Sequence, residues 1–202
     1  MIRSPQSRYD IPDQAFLRFE QGNNPVFHFG AVGLVGLGFT SLSHIDAAVT
    51  ASKASWGRSL LYNIFQLEPN VPNFIAFALD RTLDPTDEVK GSFAVGEVDD
   101  KYAAVQSTDH IPLYPPKGST RWTVLMDSFA SDGVSHNLTS LVQGVPKGRA
   151  AVLLDSGTTY SYADPSVAQA IYGNIQGAHL DNSLGQWIVP CNAGIYLTLW
   201  IA

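Results

Sequence analysis

Ala151-Val152-Leu153-Leu154-Asp155-Ser156-Gly157-Thr158-Thr159 sets three large apolar residues directly before an acid and small or hydroxyl-bearing residues after it. Val152-Leu153-Leu154 is a tight apolar run of the kind that fills a sheet interior. Ser156-Gly157 then turns the chain. An acid at the end of such a strand is expected inside the protein, where a carboxylate is costly unless hydrogen bonds hold it. Gly157 lets a backbone amide approach that carboxylate, and Ser156 and Thr158 supply hydroxyl donors beside it. This is the setting of an acid whose pKa is tuned for chemistry. The bare tripeptide D-[ST]-G is weak, because average composition yields it in about one chain in ten of this size. Its context carries the signal.

Working outward, most of the chain reads as short strands. Leu60 to Phe65 and Phe74 to Leu79 are apolar runs separated by the turn-rich stretch Glu68-Pro69-Asn70-Val71-Pro72-Asn73. Gly91 to Val98 alternates, with Phe93 and Val95 on one side, and Arg121 to Met126 is β-prone. Asp132-Gly133 is a hairpin turn signal, since both residues accept positive φ. Two segments read as helix. Ser43 to Ser52 has Ile45 and Val49 four apart and Ser43 as N-cap. Asp164-Pro165 places a cap before a first-turn proline, with Val167, Ile171 and Ile175 on one face. The prediction is a mainly β protein.

Composition removes several functions. The 202 residues are 45% hydrophobic and 15% charged, too apolar for intrinsic disorder. Twelve Lys and Arg against 18 Asp and Glu leave a formal charge of −6, which repels phosphate backbones, so no nucleic-acid partner is expected. No apolar run reaches the roughly 18–20 residues of a membrane span. Met1-Ile2-Arg3-Ser4-Pro5 shows no apolar signal core. The five histidines lack ligand spacing, and the lone Cys191 cannot build a multi-cysteine zinc site, so no metal or other cofactor is expected. A lone cysteine reads as a small core residue. Gly33-Leu34-Val35-Gly36-Leu37-Gly38 fits neither the dinucleotide fingerprint nor the P-loop, and Asp84, Asp87 and Glu88 read as a solvated turn. Asn137-Leu138-Thr139 is an N-glycosylation acceptor pattern.

The segment around Asp155 resembles the second active-site motif of the pepsin-like aspartic endopeptidases, hydrophobic-hydrophobic-Asp-[Ser/Thr]-Gly-[Thr/Ser]. Other stretches resemble family elements in the same order. These are Asp13 to Phe16 (the strand after the substrate-covering flap), Gly33 to Gly38 (the brace of the first catalytic loop) and Ser59 to Leu79 (the strands leading into the inter-lobe sheet). Trp122 to Gly133 and Gly185 to Cys191 resemble the strands before and after the second catalytic loop. Ser55-Trp56-Gly57-Arg58-Ser59-Leu60-Leu61-Tyr62 is fungal in style. The resemblance implies a bilobal, pepsin-like acid protease fold, with residues 1–88 as part of the N-terminal lobe and 89–202 as most of the C-terminal lobe. It implies Asp155 as a catalytic acid, with Ser156 in the lock between the two catalytic loops. Gly157 and Thr158 would hydrogen-bond the carboxylate, and Leu34 and Thr159 would contact substrate. Peptide or protein would be the substrate, in a secreted or vacuolar parent enzyme.

The chain departs from the family pattern in three ways. It holds one D-[ST]-G where the family uses two, and Val32 stands where an acid often precedes the glycine corresponding to Gly33. Cys191 resembles a half-cystine without a partner in these residues. The chain is therefore expected to be a piece of a protease cut at both ends, with the strand Ile195 to Ile201 and the residues before Tyr9 lacking sheet partners. A non-catalytic peptide-binding descendant, a homodimer contributing one aspartate per copy, and a β domain whose Asp-Ser-Gly is only a turn are the other readings.

Overall fold

Asp132 and Gly133 take φ of 48° and 81° and fold the chain back on itself, as their sequence predicts. The computed structural model describes residues 9–20, 22, 24–54, 57–79, 91–158 and 160–201. It divides into two units, Met1–Asp109 and His110–Ala202. The expected lobe boundary between residues 88 and 89 lies outside the described residues, as do residues 1–8, Ser55, Trp56, Thr159 and the acidic group Asp84, Asp87 and Glu88. Eight strands outnumber three α-helices among the described residues, so the chain is mainly β.

In the first unit, α1 (His44–Ala51) begins where expected, with the Ser43 side chain accepting the Asp46 amide at 3.1 Å. The strand expected over Leu60 to Phe65 is instead α2 (Leu60–Leu67). The apolar residues there recur at four, Leu60 with Ile64 and Leu61 with Phe65. A helix gathers them on one side, whereas a strand would have sent Leu60, Tyr62 and Ile64 to the same face. Ile64 is fully buried while Tyr62 and Leu67 are exposed.

A polar network holds the start of α2. Arg58 donates through its Nε and an Nη to the two carboxylate oxygens of the buried Asp46, and its guanidinium lies 5.0 Å from the Tyr62 ring centroid. Gln14 Nε2 donates to the Arg58 carbonyl at 2.8 Å, and Asn63 Nδ2 donates to Gln14 Oε1 at 2.8 Å. Gly57, at φ 74°, lets the backbone of Asp13 and Ala15 come this close; a Cβ would sit 2.8 Å from that of Ala15. Asp13 to Phe16 is thus fixed by Gln14 rather than as a strand. Gly33 to Gly38 is also irregular and largely exposed. β1 (Ile75–Ala78) and β2 (Ser92–Val95) pair antiparallel, burying Ala94 and Val95.

The second unit is built on β3 (Thr123–Ser131), longer than the expected run ending at Met126. Its hairpin partner β4 (Val134–Asn137) pairs Ser128 with Asn137 through Ser131 with Val134. β5 (Ala150–Leu153) pairs with the other half, Thr123 with Leu153 through Met126 with Ala150. α3 (Pro165–Tyr172) is capped by Asp164 as expected, but Gly173 ends it, so Ile175 lies beyond the helix. β6 (His179–Asp181) and β7 (Gln186–Ile188) form a separate hairpin. β8 (Leu197–Ile201) pairs antiparallel with β3 over Met126 to Ser131. The expectation that Ile195 to Ile201 has no sheet partner is therefore corrected on one edge, because β3 is long enough to serve both halves. β4 and β8 both pair with residues 128–131, so they occupy opposite edges of β3.

Phe129 is the centre of this packing, 2% exposed and stacked on its cross-strand neighbour His136 at 4.8 Å between centroids. His136 Nε2 lies 3.1 Å from Ser131 Oγ, which also donates to the Ala170 carbonyl at 3.1 Å. The serine proton is thus committed to Ala170, and the imidazole donates to Ser131. Cys191 is exposed, which corrects its reading as a core residue. Among the described residues no helix is long and apolar enough to cross a membrane.

Removing the Phe129 ring should destabilise the second unit sharply. Phe129→Ala is expected to cost about 3–5 kcal/mol, as for other buried aromatic truncations. Urea unfolding followed by tryptophan fluorescence checks it, and a loss below about 1 kcal/mol would show that this ring is not the core.

Candidate active site

The site grows from the end of β5. The Leu154 amide donates to the Trp122 carbonyl at 2.8 Å, so pairing with the β3 side continues to the residue immediately before Asp155. At Ser156-Gly157 the chain turns, and the turn folds onto the Asp155 side chain. The Gly157 amide donates to Oδ1 at 2.9 Å, and the Thr158 hydroxyl donates to Oδ2 at 2.7 Å. Each carboxylate oxygen thus has its own donor. The Thr158 amide also approaches the Asp155 carbonyl at 3.4 Å, closing the loop.

These bonds favour the ionised form. The Thr158 hydroxyl first, and the Gly157 amide second, hold the Asp155 carboxyl below the usual carboxylate range, with slight desolvation acting the other way. The expected burial is corrected. Asp155 is exposed, and Leu153 and Leu154 are 45% and 52% exposed. The apolar run is half-buried because, among the described residues, β5 has β3 as its one strand partner. Hydrogen bonding, and not removal from water, sets the acidity of this group.

Asp155 is not unique in this respect. Asp164 is held low by the Ser166 hydroxyl and amide, and Asp181 by Ser183 and the Leu184 amide. Those two serve a helix cap and a hairpin turn. Asp155 differs in that its two donors come from a turn that is neither a helix cap nor a hairpin.

The structure brings Asp155, Gly157 and Thr158 together. Ser156 is exposed in the same turn, and Thr159 lies outside the described residues. Leu34 belongs to the first unit, where its side chain is 61% exposed. Among the described residues no group of three or more His, Cys, Asp or Glu is gathered to hold a metal ion. A cavity of about 360 Å³ in the second unit is lined by Ser131, Asp132, Asn174 and Asn192 among others. It sits at the hairpin end of β3, whereas Leu153 pairs with Thr123 at the opposite end. Eight residues of strand separate the two ends, on the order of 26 Å, so this cavity is not the surroundings of Asp155. Two features escaped the sequence reading: the Trp122 carbonyl that anchors Leu154, and the Gln14–Arg58–Asp46 network. The first could have been found by continuing the β3–β5 register by one residue. The second joins residues up to 49 apart and has no local signal.

Comparison with known proteins agrees with the motif. The family model for eukaryotic aspartyl proteases matches residues 7–199. Aspartic protease pepA of Leptosphaeria maculans is 44% identical over 41 residues, covering 20% of this chain and 10% of that protein. The "Probable aspartic-type endopeptidase" of Arthroderma benhamiae is 30% identical over 96 residues, 46% of this chain and 24% of the relative. The matched stretches thus span a quarter or less of these curated relatives. No solved structure matches the chain. With the match running through both units and across the Asp155 turn, this chain belongs to the eukaryotic aspartyl protease family.

Proposed function

We propose that this chain is part of an aspartic-type endopeptidase, in which Asp155 is one of two carboxyl groups that activate water for attack on a peptide carbonyl. The observation that carries the reading is the Asp155 carboxylate, with the Gly157 amide on one oxygen and the Thr158 hydroxyl on the other. An ionised carboxylate can take a proton from water as the water oxygen bonds to the carbonyl carbon. A second, protonated carboxyl gives its proton to the carbonyl oxygen, and the tetrahedral intermediate then collapses with protonation of the leaving amine. Asp155, held low, suits the ionised role.

The 202 residues contain one D-[ST]-G, so in this reading the second acid comes from sequence outside them. One carboxylate cannot hold both protonation states at once, so the chain alone should not cleave peptides. A peptide-binding protein without catalysis is the second reading, favoured by that same single motif. Leu34, with Phe27 and Leu37 nearby in sequence, supports a preference for large apolar side chains flanking the scissile bond. Ser156 would join the lock between the catalytic loops and Thr159 would contact substrate. Residues 1–88 and 89–202 would belong to the two lobes, in a protein working in an acidic secreted or vacuolar setting without a cofactor.

The full-length parent protein is expected to digest denatured haemoglobin at acid pH and to lose at least about 10³-fold in kcat on Asp155→Asn, with the fold retained. Cleavage by the parent that survives Asp155→Asn, a preference for basic residues at the cut, or a maximum near pH 8 would contradict the proposal. Cleavage by the 202-residue chain alone, abolished by Asp155→Asn, would favour the homodimer instead.

The acid limb of the pH profile carries a second expectation. Activity falls on the acid side as Asp155 takes up a proton, and on the alkaline side as the partner acid loses one. Thr158→Val removes the first donor to the anion and raises the Asp155 pKa, so the acid limb should move to higher pH while the alkaline limb stays. An acid limb that stays in place, or moves to lower pH, would show that Thr158 does not set this acidity.

A further inference from the structure

We propose that Asn137 accepts an N-linked oligosaccharide and that this glycan covers the outer edge of β4. Asn137-Leu138-Thr139 is the one Asn-X-Ser/Thr tripeptide in the 202 residues. The fold presents it as an acceptor. Asn137 is the last residue of β4 and is exposed, Thr139 is exposed, and Leu138 between them is 4% exposed and anchors the segment in the core. Among the described residues, no side-chain hydrogen bond engages the Asn137 carboxamide. A bulky group on its nitrogen would therefore extend into solvent without breaking a contact of the fold.

The position also answers a need of the sheet. β4 pairs with β3 on one side, and among the described residues no strand pairs with its other edge, where Val134 is 57% exposed. An open edge of this kind recruits strands from other chains unless something bulky or charged blocks it. β8 takes one edge of β3, and β4 and β5 pair with successive stretches of the other, since Met126 pairs with both Ala150 and Ile201. Asn137 is opposite Ser128 and Leu153 opposite Thr123. The glycan would thus stand on the order of 17 Å along that same edge from Leu153 at the end of β5, with the Asp155 turn farther still. It would guard the edge without standing over the carboxylate.

In the transfer, Asn137 Nδ2 bonds to the anomeric carbon of an oligosaccharide carried on a lipid diphosphate. The carbon–oxygen bond to the diphosphate breaks with its electron pair, the lipid diphosphate leaves, and one amide proton is lost to a base of the transferase. The Thr139 hydroxyl is the recognition element two residues on.

The test is translation of the full chain, behind a cleavable secretory signal, in the presence of microsomes. The expected product is one oligosaccharide heavier, and an endoglycosidase that leaves a single sugar removes the difference. The shift should vanish in Asn137→Gln and Thr139→Ala and persist in Thr139→Ser. An unshifted wild-type chain, in a reaction that modifies a control glycoprotein, would overturn the site. For the edge role, light scattering compares the glycosylated chain with the same chain after endoglycosidase trimming. Self-association is expected at a several-fold lower concentration after trimming, and an equal onset would overturn the shielding.

Discussion

The pairing of β3 with β5 is the constraint on which the chemistry depends. It carries register from Met126–Ala150 to Thr123–Leu153, and the Trp122–Leu154 hydrogen bond extends it by one residue. Asp155 therefore begins its turn from a fixed point. The Gly157 amide and Thr158 hydroxyl meet the carboxylate locally, and the anchor fixes where on the sheet that turn stands. The same strand, through its other half, holds β4 and β8 and buries Phe129. One nine-residue strand thus joins the core of the second unit to its candidate catalytic group.

The electrostatics of that group follow from donors rather than from burial. An exposed carboxylate is already well solvated, so desolvation contributes little, and the two hydrogen bonds lower its pKa by preferring the anion. Such an acid stays ionised to lower pH, which makes its carboxylate available to water though a weaker base. This direction is compatible with the ionised part in the two-carboxyl mechanism proposed above. Asp164 and Asp181 show that a lowered pKa by itself assigns nothing, since caps and turns produce it too.

Much of the fold was legible where a local rule applies. Ser43 and Asp164 cap the helices they were expected to cap, and Asp132-Gly133 makes its hairpin, because capping and positive φ are decided within four residues. Leu60 to Phe65 was misread because a six-residue apolar run satisfies both periods, and the tertiary packing of Ile64 decides between them. β8 was expected to lack a partner because the chain reads as cut there, and its long-range pairing with β3 leaves no local trace to show otherwise. The donors to Asp155 were legible because they lie two and three residues away. Its exposure was not, since burial depends on what the rest of the sheet covers.

The carboxylate chemistry of Asp155 can be measured directly, in the folded chain, by a carbon-13 NMR titration of its side-chain carboxyl, assigned by comparison with Asp155→Asn. The account predicts a single titration with a midpoint below that of an aspartate in an unstructured peptide, because Thr158 and Gly157 stabilise the anion. A midpoint at or above the unstructured value would contradict it, since the loop would then hold no preformed anion for water to meet.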